Sequence, residues 1–191
     1  MRPRPEAVFL AAGFFALYYA VYVLAAFAAD GFSLRHRWYF AWETGLPLVP
    51  WTAWIYLSLN FMVIPMLWAF PTVKQLRPVI LTLAAELLLA AALFCLVPLE
   101  DGFRDPPAEG GLRLVQAVAL RHNYFPSLHV ALAWTAVLTI GGWGLALWAT
   151  LITLSTLTTH QHHLVDLAGG FALAFAGYHF VYRRLTRCAE R

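Results

Sequence analysis

Long apolar runs dominate the chain and predict helices that cross a membrane. A spanning helix needs about 20 mostly apolar residues, and six runs reach or approach that length. They are Ala7–Ala29, Leu48–Phe70, Val79–Val97, Phe125–Ile140, Leu145–Thr159 and Leu164–Tyr182. The fourth and fifth runs are short, and the glycines between them predict a tight turn over Gly141–Gly144. The pattern predicts an all-α, integral membrane bundle of six helices, forming a single domain over residues 1–191.

Composition agrees with this prediction. Of the 191 residues, 61% are hydrophobic and 12% are charged, whereas soluble domains contain roughly 45–50% and 25%. So few polar side chains cannot coat a water-soluble globule, and so many apolar ones exclude intrinsic disorder. No basic stripe with interleaved aromatic residues is present, so the sequence gives no support for a nucleic-acid partner, and we expect none.

The basic residues predict the orientation of the bundle. With six spans, eight of the 13 Lys and Arg fall on the side of the two termini and five on the other side. Because basic residues favour the cytoplasm, we expect cytoplasmic termini. The first run follows Arg2 and Arg4 and is longer than the apolar core of a signal peptide. We expect an uncleaved anchor, although Ala26–Ala28 resembles a cleavage site.

Two polar clusters lie where the pattern places membrane. They are Asn123–His129, at the start of the fourth run, and His160–Asp166, before the sixth. Ionisable groups at membrane depth are costly and mark functional sites. Because the chain crosses the bilayer twice between His129 and His162, both clusters fall on one face, which the orientation above makes the outer one.

The residue types in these clusters are those of a phosphoryl-transfer site. His162 and Asp166 are four apart, so on a helix they would share one face, where a carboxylate orients an imidazole for attack. Pro126 suits the first turn of a helix, and the free backbone N–H groups that follow, with Ser127, form an anion seat. His129 could give a proton to a leaving oxygen.

The two motifs resemble those of the type 2 phosphatidic acid phosphatase superfamily. Its pattern is Pro-Ser-Gly-His, then Ser-Arg-x5-His-x3-Asp. This chain has Pro126–His129, then Ser155–Thr156, five residues, His162, three residues and Asp166. The close resemblance spans about residues 121–179, and the six-span layout fits the superfamily over the whole chain.

Three features are closest to the inositol phosphorylceramide synthase and sphingomyelin synthase-like branch. Leu128 stands in place of the Gly of the first motif, and a second histidine, His163, follows the first. The stretch from Asp166 to Tyr178–His179 also looks like the sphingomyelin synthases, more weakly.

The resemblance implies a role for each matching residue. His162 would be the nucleophile that forms a phosphohistidine, and Asp166 would orient it. His129 would be the general acid and base, and Ser127 would bind the substrate phosphate. The substrate partner would be a membrane lipid, and no metal or other cofactor would be required.

The chain lacks the arginines of the superfamily pattern. Thr156 occupies the position of the Arg in the second motif. The superfamily has an earlier motif that contains a Lys and an Arg. Lys74–Pro78 resembles this motif, but its spacing differs, and the predicted spans place it on the membrane face opposite the histidines. We therefore expect Arg121 to bind the phosphate, with Arg113 as the second candidate. We expect His163 to face the phosphate from the edge of the site.

The expected function is metal-independent transfer of a phosphoryl group or phosphorylated head group on a membrane lipid, with head-group transfer favoured. The alternative within this class is a phosphatase acting on phosphatidate, sphingoid or polyprenyl phosphates. Two other classes stay open. One is a non-catalytic membrane protein that keeps the fold, and the other is a metal-dependent membrane oxidase with His160 and His163 as ligands.

Two further polar residues fall inside predicted spans. Asn60 predicts a hydrogen bond between helices. Glu86, midway along the third run, predicts either a hydrogen bond to a neighbouring helix or a polar path, and we favour the hydrogen bond.

Overall fold

The computed structural model describes residues 2–31, 36–100, 102–103, 109–118 and 123–189. Over these ranges the regular structure is helical, and no β-strand is present. A single β-bridge pairs His36 with Leu99. The predicted all-α class is confirmed for the described part of the chain.

Eight helices follow one another along the described residues. They are α1 (Pro5–Asp30), α2 (Pro50–Ala69), α3 (Val73–Leu96), α4 (Gly110–Val118), α5 (Leu128–Ile140), α6 (Trp143–Thr158), α7 (Leu164–Ala176) and α8 (Arg183–Ala189). A 3-10 turn, Ala41–Gly45, precedes α2. A π-helical segment, Gly177–Tyr182, joins α7 to α8 in one continuous helix.

Four of these helices are long and apolar enough to cross a membrane. They are α1, α2, α3 and the continuous helix Leu164–Cys188. The other two predicted spans correspond to α5 and α6, of 13 and 16 residues. At 1.5 Å per residue these are about 20 and 24 Å long, shorter than the hydrocarbon core of about 30 Å. The six-span count therefore stays a prediction.

The start of α5 explains part of this shortness. The fourth apolar run begins at Phe125, but the helix begins at Leu128, because Ser127 is its N-cap residue with extended backbone dihedrals. The other end is set by Gly141 and Gly142, whose φ angles are +82° and +94°. Glycine adopts this region without steric cost, so the predicted tight turn follows α5 directly.

Helix α5 lies at the centre of the bundle. It packs against α3, α6 and α7, while α1 packs along α3. By contrast, the sides of the bundle are apolar, and several large side chains there are more than half exposed. These are Phe9, Leu24, Phe27, Leu96 and Phe180. An apolar exterior around an apolar core is the pattern of a helix bundle surrounded by lipid.

One end of the bundle gathers the segments that carry the polar clusters. Val49 N–H donates to the Thr158 carbonyl oxygen at 2.8 Å, which ties the start of α2 to the end of α6. Asn123 Nδ2 donates to the Tyr22 carbonyl oxygen at 2.9 Å, which ties the segment before α5 to α1. Because Tyr22 lies eight residues before the end of α1, this contact is about 12 Å below that end. The cluster before α5 is therefore recessed.

The polar residues inside the spans pair between helices. Thr135 Oγ1 of α5 donates to Glu86 Oε1 of α3 at 2.7 Å. Tyr19 Oη of α1 donates to Asn60 Oδ1 of α2 at 3.0 Å. Both predicted interhelical hydrogen bonds are confirmed.

Candidate functional site

His162 and Asp166 face each other at the beginning of α7. His162 Nδ1 lies 3.5 Å from Asp166 Oδ2. The same carboxylate oxygen accepts the backbone N–H of His163 at 2.8 Å. Asp166 is fully buried, and its Oδ1 has no hydrogen-bond partner among the described residues. His162 lies before the helix rather than on it, since α7 begins at Leu164.

His129 lies beside His162. The centroids of the two imidazole rings are 6.1 Å apart, and their planes are tilted by 55°. The residues come from the first turn of α5 and from the segment before α7. The structure therefore brings together the three residues to which sequence assigned catalytic roles.

Ser127 ties these two segments together. Its N–H donates to the carbonyl oxygen of Asp166 at 3.0 Å, and its Oγ accepts the N–H of Val130 at 3.4 Å as the cap of α5. Ser127 is fully buried. The first turn of α5, with the positive end of its helix dipole, therefore begins next to Asp166.

Glycine allows α5 and α7 to approach this closely. A Cβ atom on Gly170 would lie 2.6 Å from the Ser127 carbonyl oxygen and 2.8 Å from Val130 Cβ. A Cβ atom on Gly169 would likewise meet Phe125 at 2.5 Å. Because the atom nearest to Gly170 belongs to the backbone, a larger residue at Gly170 would push the two helices apart.

The turn between α6 and α7 presents His162. Its backbone is reversed by His160, which has a φ of +58°, a left-handed conformation that is uncommon outside glycine. The carbonyl oxygen of Thr156 then accepts two N–H groups, from Gln161 at 3.0 Å and His162 at 3.2 Å. Thr156 is fully buried and closes this turn.

A second buried acid, Glu43, supports the same turn. Its Oε2 accepts the N–H of Leu164 at 2.8 Å and lies 3.2 Å from His163 Nδ1. Its Oε1 accepts the N–H of Phe40 at 2.8 Å. Glu43 is 0% exposed. Sequence analysis missed it, and the only available signal was an acid within an otherwise aromatic and apolar segment.

His163 belongs to a column of four stacked rings. The order is His160, Phe103, His163 and Tyr39, with centroids 4.2, 4.3 and 4.4 Å apart. Both faces of the His163 ring are covered, and the residue is 4% exposed. The sequence predicted a phosphate-facing rim at this position, whereas the structure places His163 in a packed column with Glu43 at its edge.

His129 also borders a cavity on its other side. The ring of Tyr56 stacks on the His129 imidazole, with centroids 3.9 Å apart. Both residues line a cavity of about 390 Å³ that runs between α1, α2 and α3. His162 is not in its lining, so His129 stands between the cavity and His162.

Of the two predicted phosphate-binding arginines, the structure describes only Arg113. Arg113 lies on the exposed face of α4, whose opposite face buries Leu112 and Val115 against Ala53 and Tyr56. Arg121 lies outside the described residues. Among the described residues, no three His, Cys, Asp or Glu side chains are placed to hold a metal ion.

No family model matches this chain, and searches of curated proteins and of solved structures return no match.

Proposed function

We propose that this chain is a membrane enzyme that moves a phosphoryl group, or a phosphorylated head group, from one lipid to another molecule through a covalent bond to His162. The single observation that carries the proposal is the grouping of His129, His162 and Asp166, with the two imidazole rings 6.1 Å apart and the carboxylate 3.5 Å from His162 Nδ1. A nucleophile, an orienting carboxylate and a second proton carrier are the groups that such a transfer requires.

In the first step, His162 Nε2 attacks the phosphorus atom and the bond from phosphorus to the leaving oxygen breaks. His129 gives its proton to that oxygen, which departs as an alcohol. Asp166 keeps the proton of His162 on Nδ1, so that Nε2 carries the attacking electron pair. The product is a phosphohistidine and a neutral alcohol.

In the second step, an acceptor hydroxyl attacks the phosphohistidine. His129, now neutral, takes the hydroxyl proton, and the bond between His162 and phosphorus breaks. Both histidines return to their starting protonation. Water as acceptor gives a phosphatase, and a lipid hydroxyl gives a head-group transferase. We favour the transferase because Leu128, His163 and the missing arginines resemble that branch of the superfamily.

Charge on the phosphate would be stabilised mainly by the first turn of α5. The backbone N–H groups that follow Ser127 and the positive end of the helix dipole favour an anion there. Preorganised donors of this kind are usually the largest contribution to such reactions. Arg121 and Arg113 stay candidates for a further contact.

We further propose that α5 and α6 cross the membrane as a hairpin, giving six spans with cytoplasmic termini and an outward-facing site. Trp143, 84% exposed at the turn, suits the membrane interface. With the turn at one interface, an α5 of about 20 Å would begin about 10 Å below the other. This depth agrees with the hydrogen bond from Asn123 to the Tyr22 carbonyl oxygen, which lies about 12 Å below the end of α1.

The test compares His162→Ala with His179→Ala in purified full-length protein. His179 lies on the π-helical segment, with its ring against Phe175, and serves as the matched histidine control. Lipid phosphates and phospholipid head-group donors are supplied with and without a lipid alcohol, and free phosphate and new phospholipid are measured together. We expect His162→Ala to lose turnover by a factor of about 100 to 1000 or more, with His179→Ala unchanged.

Labelled phosphohistidine in the wild type, absent from His162→Ala, would support the covalent step. Retained turnover in His162→Ala would remove it. New phospholipid identifies a transferase, and free phosphate alone identifies a phosphatase. An absence of both products across the screen would favour a non-catalytic protein, and stoichiometric iron in the purified protein would favour an oxidase.

A further inference from the structure

The cavity beside His129 is long and apolar. It runs along α1 from Val23 to Ala11, which are 12 residues apart and therefore about 18 Å apart on the helix. Its volume is about 390 Å³. Carbon atoms pack at about 4 Å, so a hydrocarbon chain can lie along the cavity.

Its length matches the dimensions of a membrane. Half of a hydrocarbon core of about 30 Å is about 15 Å, the depth of one leaflet. The far end is lined by Ala11, Met66 and Leu76, near the beginning of α3 and the end of α2. The cavity is therefore long enough for a lipid chain that spans a leaflet.

The near end of the cavity reaches the candidate site. His129, Tyr22 and Tyr56 line it there, and His129 is the residue whose ring lies 6.1 Å from His162. A chain held in the cavity would therefore place its polar end beside His129, the ring that separates the cavity from His162.

Part of the cavity lining is exposed on the side of the bundle, between α1 and α2. These helices pack together mainly where α1 meets Val63–Ala69. Further along, Tyr19 and Asn60 line the cavity, are exposed on the side of the bundle, and hydrogen-bond to each other across the gap. A lipid chain in the bilayer could pass between the helices there without crossing water.

We infer that this cavity binds one hydrocarbon chain of the lipid substrate, which enters from the bilayer between α1 and α2 and lies with its end near Ala11. This inference rests on the proposed function for the identity of the polar end. The cavity therefore selects the length of the chain that it holds.

The first experiment maps the chain directly and needs no turnover. Full-length protein in nanodiscs is photolabelled with a long-chain acyl phosphate that carries a diazirine either at the chain end or near the phosphate. We expect the chain-end probe to label residues around Ala11, Met66 and Leu76, and the other probe to label residues around Tyr22 and Tyr56. Labelling only on lipid-facing residues such as Phe9 and Phe27 would overturn the inference.

The second experiment shortens the cavity. Ala11→Phe fills its far end, and Ala12→Phe adds the same side chain at the neighbouring, lipid-exposed position. We expect Ala11→Phe to lose chain-end labelling with long acyl phosphates and to keep it with short ones, while Ala12→Phe behaves as wild type. Equal loss for all chain lengths, or no loss, would count against the inference.

Ile80→Trp provides a second blocking variant in case Ala11→Phe does not fold. Ile80 lines the middle of the cavity, and the adjacent Leu81, which is exposed, gives the matched control Leu81→Trp. The two proposals can fail separately. Cavity labelling without phosphate transfer on any lipid would contradict the proposed function alone, and transfer without cavity labelling would contradict this inference alone.

Discussion

A single carboxylate oxygen, Asp166 Oδ2, lies 3.5 Å from His162 Nδ1 and accepts the backbone N–H of His163 at 2.8 Å. Asp166 therefore fixes the first turn of α7 and faces the proposed nucleophile at the same time. The two roles can be separated. An amide oxygen can still accept the His163 N–H as the carboxylate does, but it carries no negative charge to face His162.

We expect Asp166→Asn to keep the fold and lose turnover. The Asn oxygen can still accept the His163 N–H, whereas the charge that stabilises a protonated His162 is lost. Turnover should fall by a factor of about 100 to 1000, measured as transferred phosphate. The melting temperature should change little, and Glu6→Gln, at an exposed position of α1, serves as the control. Turnover within a few fold of wild type would contradict the orienting role.

Glu43→Gln should lower the stability of the fold. The carboxylate accepts two backbone N–H groups and contacts His163, all in a buried setting. A Gln side chain has one acceptor oxygen and would turn its NH2 group toward a donor, at a cost of about 1–3 kcal/mol. Denaturant unfolding measures this difference. Glu6→Gln, at an exposed position of α1, should change stability by no more than a few tenths of a kcal/mol; an equal loss in both variants would argue against the buried role.

Gly170→Ala should separate α5 from α7. The added Cβ would lie 2.6 Å from the Ser127 backbone oxygen, which cannot rotate away as a side chain could. Overpacking of this kind costs about 1–3 kcal/mol, and a shift of about 1 Å between His129 and His162 can lower turnover roughly 100-fold. The matched control is Gly13→Ala in α1, where an added Cβ meets no atom within 4 Å. Equal behaviour of the two variants would contradict close packing at the site.

The pairing of Arg37 with Glu100 should make stability depend on pH. The side-chain hydrogen bond from Arg37 holds the pKa of Glu100 below its ordinary value of 4.5. Because the folded pKa is lowered, the stabilisation is present above the ordinary value and is lost as the pH falls through the folded pKa. Both side chains are exposed, so the effect should be small and weaker in high salt.

Melting temperatures of wild type and Arg37→Ala, measured from neutral to acidic pH, check this expectation. The difference should be present at neutral pH and vanish at the acidic end. Lys74→Ala, an exposed position on α3, should show no such pH-dependent difference. A difference for Arg37→Ala that grows on acidification would have the wrong sign.

The helices could be predicted from sequence because their apolar runs are local. The two spans predicted between His129 and His162 also led us to expect both histidines on one face, although those crossings stay a prediction. Glu43 could not be found in this way, since its contact with His163 joins residues 120 positions apart and no periodicity records such a pair. The same holds for the stacked column, whose rings come from three separate segments of the chain.

The sequence pattern also predicted more helix around His162 than the structure contains. A spacing of four between His162 and Asp166 suggested one helical face, yet His160 reverses the chain with a positive φ and leaves His162 in the turn. The proximity survives because Asp166 caps the helix that begins two residues after His162. Here tertiary contacts to Glu43 and Thr156, rather than helix geometry, place the side chain.

The short α5–α6 hairpin has a consequence for the surrounding lipid. If it crosses the bilayer as proposed, its hydrophobic length falls short of the core by several ångströms, and the mismatch must be met by local thinning of the membrane or by water above the recessed site. Lipids with shorter acyl chains would relieve this mismatch. The thickness of the surrounding bilayer should therefore change how readily a phosphorylated head group reaches the histidines.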